Sequence, residues 1–349
     1  MSHAGRVDWV DVAKGIAIFL VVFYHAVVIG VPEGLGAPIW ADVNAAVSWV
    51  RMPLFFFAAG LFAEPVIRRP WAAVWSGRVG VLVWVFLLWT VLRFAYFSLA
   101  PMETRPAETD VFALILSPVR PTTGLWFLHA LIVFLVLAKL MRRVPAWIQL
   151  AGATLLSALF FSTLTTGSLS YNGMARYFVF FLAGLYLRER VLIGNARPRP
   201  FLTFAVGAGY AGLMLLSAHS GFLRVPGIAT WLGALGVVFG CMAAVLIANT
   251  PLRRPLAYVG RSTLPIYVTH VVLIAVLYRL VTRLSSDSEN EILGFALPVL
   301  TVFLVVPLTL LLAQAVRGVP VLRYLYAAPP FVIGTRTAYA SRARRADEE

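Results

Sequence analysis

Apolar runs of membrane-spanning length recur along the whole chain, separated by short polar breaks. Ten are legible, near residues 13–31, 43–63, 78–98, 124–141, 147–165, 174–190, 201–219, 228–249, 263–283 and 292–316. Each is close to the roughly 20 residues that a helix needs to cross about 30 Å of hydrocarbon. The runs are too long, and alternate too little, to be the strands of a closed β-barrel. The pattern predicts an all-α, polytopic integral membrane protein of about ten transmembrane helices. No break is long enough for a soluble domain. The longest, about 99–123, holds Pro101, Pro106, Pro118 and Pro121 and is expected to be an irregular exposed loop. No small-residue cleavage site follows the first run, so it is expected to be retained as a span. Residues 1–325 read as one membrane domain and 326–349 as a basic cytoplasmic tail.

Composition agrees with this class. The 349 residues are 60% hydrophobic and 13% charged, against about 25% charged in soluble domains. The formal net charge of +14 would fit a nucleic-acid partner, but its distribution points to topology. With the N-terminus inside, 21 Lys and Arg fall on the cytoplasmic side and eight on the other. An even number of spans with both termini cytoplasmic follows, and no nucleic-acid partner is needed. The tail segment SRARRADEE reads as solvated or in contact with anionic lipid. The single Cys241 excludes an internal disulfide and a cysteine-based metal cluster.

The first span carries the most informative polar residues. In RVDWVDVAKGIAIFLVVFYHAVVIG, Lys14 and His25 are eleven residues apart. At about 100° and 1.5 Å per residue they share one helix face and lie roughly 16 Å apart along it. Ionisable groups inside a span usually face a cavity and mark a site. Two readings stand at this point. Lys14 and His25 form the mouth and floor of a site, or they are a snorkelling anchor and a hydrogen-bonded core histidine.

Five stretches carry a family resemblance. Arg6, Asp11, Lys14, Gly15 and His25 fall in the pattern R-x4-D-x2-[KR]-G-x9-H. RMPLFFFAAGLF (Arg51 to Phe62), LWFLHAL (Leu125 to Leu131), YFVFFLAGLYL (Tyr177 to Leu187) and GRSTLPIYVTH (Gly260 to His270) follow in order. Together they resemble the membrane-bound acyltransferase family 3, in its fucose 4-O-acetylase-like branch. The resemblance implies a ten-helix domain in a bacterial cell (inner) membrane. It implies transfer of an acyl group, often acetyl, from acyl-CoA as co-substrate to a hydroxyl of an envelope glycan or lipid-linked sugar. It makes His25 the catalytic residue and gives Lys14 a role in binding the donor. Imidazole suits a general base because its ordinary pKa lies near neutrality. Asp11, three residues before Lys14, either orients it or serves as a helix-start residue. The family often has an R-x-x-R pair at the third span. Here only Arg78 matches, which the resemblance makes a donor-binding residue and charge placement alone makes a positive-inside anchor, and Arg68 and Arg69 lie close upstream as substitutes.

The outer half holds further candidates. Arg51, Arg93, Arg176 and Arg279 lie in or at the ends of spans on the extracytoplasmic side, where burial is costly. They line an acceptor cavity or snorkel to the interface. His129 and His270 lie in the fourth and ninth spans and are either cavity residues or packing residues. No zinc site is expected, because the histidines lack ligand spacing and no inward carboxylate completes a set. A transporter or flippase without acyl chemistry is the alternative. None of the fifteen Asp and Glu falls at mid-span, which argues against a proton-driven carrier. A degenerate family member acting as a scaffold is a third, weaker reading.

Overall fold

The structure is a computed structural model that describes residues 7–194, 197–284 and 291–333, and every regular element among them is helical. His3, Arg6 and the SRARRADEE tail lie outside the described residues, as does the side chain of His219. Each of the ten expected spans has a helix. Seven are long and apolar enough to cross a membrane: α1 (Asp8–Gly30), α2 (Ile39–Gly60), α3 (Trp71–Leu99), α7 (Pro200–Ser220), α8 (Ile228–Ala248), α10 (Thr263–Leu284) and α11 (Glu291–Arg317). The other three are α4 (Trp126–Leu140), α5 (Ala146–Ser162) and α6 (Leu169–Tyr186). The protein is a polytopic membrane protein. Several short helices were not legible in the hydropathy, among them the nine-residue α9 (Arg253–Arg261), whose polar face interrupts the apolar pattern.

The chain forms two compact units. The first comprises residues up to 61, 146–165 and 175–311. Its centre is α1, which packs against α2, α8, α9 and α10. Asp8 and Asp11 occupy the first turn of α1, where carboxylates favour the helix dipole. Glycines set the two closest crossings. A Cβ on Gly15 would run into the carbonyl of Leu256, and one on Gly260 into the carbonyl of Asp11. A Cβ on Gly60 or Gly184 would likewise meet the Phe181 or Phe57 carbonyl of the facing helix. Small residues that let backbones touch are the usual means of close approach in membranes.

The second unit comprises residues 62–145, 166–174 and those from 312 on. Here α3 opens with a wide turn at Trp75–Val79, in which Gly77 departs from helical geometry (φ −109°, ψ −121°). The indole N–H groups of Trp84 and Trp89 donate to the carbonyls of Tyr324 (2.9 Å) and Leu325 (2.8 Å), tying down the C-terminal turn. The loop after α3 is largely exposed, as expected, but it is not irregular throughout. It contains a helix, Val111–Leu116, capped by Asp110, which accepts from the Phe112 N–H at 2.8 Å. It also turns Glu108 inward to 3% exposure.

Candidate active site

His25 and His270 come from helices 245 residues apart in sequence and meet in the first unit. His270 Nε2 lies 2.9 Å from His25 Nδ1, with ring centres 4.7 Å apart. Both rings are buried, at 6% and 1% exposure. The backbone decides the tautomers. A carbonyl can only accept, and His270 Nδ1 lies 2.9 Å from the Ile266 carbonyl, so Nδ1 carries a hydrogen. In neutral His270, Nε2 is then an acceptor. His25 Nδ1 also lies 3.0 Å from the Val21 carbonyl, so it too carries a hydrogen, shared between that oxygen and His270 Nε2. These two Nδ1 contacts require the same tautomer, with the lone pair on Nε2. The result is a one-way chain from His25 through His270 to the Ile266 carbonyl. A base that takes a proton at His25 Nε2 keeps its Nδ1–H bond to His270 throughout.

The next side chains outward are aromatic and cationic. The Tyr24 ring meets His25 edge-on at 4.7 Å between centres. The Arg51 guanidinium lies 4.2 Å from the centre of the Tyr24 ring and donates to Asn44 Oδ1 at 2.7 Å. Arg51 is 6% exposed, and among the described residues no carboxylate pairs with it. Beyond His25, the Tyr278 hydroxyl donates to the Ala26 carbonyl at 3.0 Å and fixes α10 against the end of α1.

At the other end of α1, Lys14 Nζ lies 2.5 Å from Asp11, and Arg261 reaches the second Asp11 oxygen at 4.0 Å. Arg253 pairs with Asp8 at 3.0 Å. Arg253 and Arg261 reach α1 because Gly15 and Gly260 let α9 touch it. A cavity of about 340 Å³ lies beside this end, lined by Asp8, Trp9, Asn249 and Arg253 among others. Ile18 and Val21, on the stripe between Lys14 and His25, are buried. The two ends of that face are therefore separated by packed apolar side chains in this state.

The remaining candidates disperse. Arg176, in the first unit, donates from Nε to the Phe160 carbonyl at 2.8 Å and lies 5.3 Å from the Phe161 ring centre. Arg78, Arg93 and His129 belong to the second unit. Arg78 is exposed in the wide turn and makes no ion pair or hydrogen bond among the described residues. Arg93, at 0% exposure, forms a two-point ion pair with Glu108 through Nε (3.2 Å) and Nη2. His129 Nε2 lies 3.0 Å from the Pro118 carbonyl. No group of three or more His, Cys, Asp or Glu among the described residues is placed to hold a metal. Reasoning from the sequence missed the contact between the two histidines, the Arg93 partner and the role of Arg261. The motif GRSTLPIYVTH held a signal, since it contains Gly260, Arg261 and His270 together.

The profile of a family described as an acyltransferase domain matches residues 7–317. The inner membrane protein YcfT of Escherichia coli is 23% identical over 301 residues, which cover 77% of this chain and 80% of that protein. No solved structure matches the chain.

Proposed function

The chain belongs to the acyltransferase-domain family, and from that membership we propose that it is an acyl-CoA-dependent O-acyltransferase with His25 as general base. The acyl group is acetyl by family habit, and the acceptor is a hydroxyl of an envelope glycan or lipid-linked sugar. The site of action is a bacterial cell (inner) membrane. The observation that carries this reading is the hydrogen-bonded chain from His25 to the Ile266 carbonyl, which holds the His25 lone pair on Nε2.

The step balances as follows. The acceptor O–H gives its proton to His25 Nε2 while its oxygen attacks the thioester carbonyl. The C–S bond breaks, and the CoA thiolate leaves and takes the proton back. The Nδ1–H bond to His270 becomes charge-assisted when His25 is cationic, and charge-assisted bonds are the stronger kind. His270 is thus a positioning residue and touches no reacting atom. Arg51, buried without a carboxylate, receives an anionic group of the acceptor. Lys14 and Arg261, which share Asp11 between them, offer a net positive charge to the phosphates of the donor. Arg78, exposed and without an ion partner among the described residues, suits the donor contact that family resemblance gives it. The pantetheine arm needs Ile18 and Val21 to move aside before the thioester reaches His25.

Membranes holding the protein, given radiolabelled acetyl-CoA, should label a glycan or lipid fraction. General acid–base groups contribute about 10²–10⁴-fold, so His25→Ala should cut labelling by roughly that factor. Labelling by His25→Ala at the wild-type rate sinks the mechanism.

A further inference from the structure

The second unit holds a concave cationic site of its own. A cavity of about 480 Å³ is walled by Arg68, Arg69, Trp71, Lys139, Arg142 and Arg143, and among the described residues no carboxylate lines it. Lys139 is its rigid base. It is 4% exposed and donates to the carbonyls of Ile67 (3.0 Å) and Arg69, with Trp71 4.8 Å away at the ring centre. These contacts lock the segment before α3 against the end of α4. Arg68 shares its charge with Glu64 at 2.6 Å. Arg69, Arg142 and Arg143 are exposed and have no ion pair among the described residues.

The preference for cations on the cytoplasmic side explains why arginines occur in these two segments. It does not explain a concave wall of like charges mounted on a buried lysine, which is costly without an anion to answer it. Guanidinium groups bind phosphate oxygens in a two-point fork. Four of them around one cavity match two phosphates better than one. Trp71 and Leu140 border the cavity at the ends of two apolar helices and remain exposed. Aromatic residues at such ends lie at the level of lipid head groups.

We propose that this cavity binds a ligand carrying two phosphate groups, as presented by a phospholipid of the surrounding leaflet whose head group holds two separate phosphodiesters. Basic pockets at the ends of transmembrane helices are suited to such head groups. The site uses no residue of the His25 cluster, but Arg68 and Arg69, the substitutes named for the R-x-x-R pair, border it, so the test varies Arg142 and Arg143 and sets a lipid arm against a nucleotide arm.

The test uses full-length purified protein and an Arg142→Gln/Arg143→Gln variant. Native mass spectrometry measures binding of cardiolipin, phosphatidylglycerol and phosphatidylethanolamine. A parallel titration with adenosine 3′,5′-bisphosphate supplies the free-phosphate arm. The expected result is preference for cardiolipin over the single-phosphate lipids, weakened roughly 30-fold in the double variant, since each cation near a lipid surface contributes modestly. His25→Ala should bind as wild type does. Nucleotide binding that weakens in the variant, without lipid preference, keeps the two-phosphate site and reassigns its source. Absence of any two-phosphate preference, or equal binding by the variant, overturns the proposal. Both positions are exposed, and the single variants carry the test should the double variant fail to fold.

Discussion

Arg51 and Arg93 are both buried guanidinium groups at positions assigned by charge distribution to the outer half of the membrane. In the second unit, Arg93 is answered by a full opposite charge, Glu108, through two nitrogens. In the first unit, Arg51 is answered by neutral groups, the Asn44 amide oxygen and the face of Tyr24. The histidines, which Tyr24 links to Arg51, follow the same rule, each bonded to a carbonyl and to the other imidazole. A buried charge met by its opposite is already satisfied and has a structural use. A buried cation met by neutral groups still has charge to offer an arriving anion. The first unit is therefore where chemistry is expected, and the fixed pair of the second is part of the frame.

The largest effect should come from breaking the fixed pair. Removing one partner of a buried ion pair leaves an uncompensated charge and costs about 3–5 kcal/mol. Glu108→Gln should therefore lower the thermal midpoint in detergent and the amount of protein in the membrane. Arg93→Met combined with Glu108→Gln should recover much of the loss, because the cost lies in the stranded charge rather than in the missing bond. A Glu108→Gln protein as stable as wild type would remove the distinction between the two arginines.

The ease with which these features could be read in the sequence follows their range. The spans were legible because hydropathy is local. His25 and Lys14 were legible because each is an isolated polar group in or beside an apolar run. The partner of Arg93 was not, since Glu108 sits among prolines in a stretch that reads as an exposed loop. Nor was the contact of His25 with His270, which joins residues 245 apart. The glycine crossings were hidden for a different reason. A glycine inside an apolar run says that something comes close without saying what. Only the fold shows that Gly15 meets α9 and that Gly60 meets the helix of Gly184.

The next effect concerns the neutral chain of the first unit. In the proposed transfer His25 becomes cationic, and a hydrogen bond to a charged group is worth about 1.5–3 kcal/mol. His270→Ala should therefore lower kcat by about 10- to 100-fold with little change in KM for the donor. His270→Gln places an amide oxygen where the imidazole nitrogen was and should recover part of kcat. A structural role alone would predict loss of folded protein in both variants and no recovery in the second. Equal kcat for wild type and His270→Ala would show that the chain is packing and nothing more.

The smallest effect on stability should come from Arg51, and that is what sets it apart from Arg93. Arg51→Met strands no carboxylate. It takes a donor from Asn44, but it also removes a cation whose burial is itself unfavourable, and the two changes largely offset, to within about 1 kcal/mol. The variant should accumulate and melt much as wild type does. Its defect should instead appear with the acceptor, as a rise in acceptor KM of about tenfold, the size expected for one lost charge-assisted contact. Arg51→Lys keeps the charge but not the flat group lying over Tyr24, and should fall between the two. A loss of stability in Arg51→Met as large as that in Glu108→Gln would place Arg51 in the frame and leave the first unit without a cation for its acceptor.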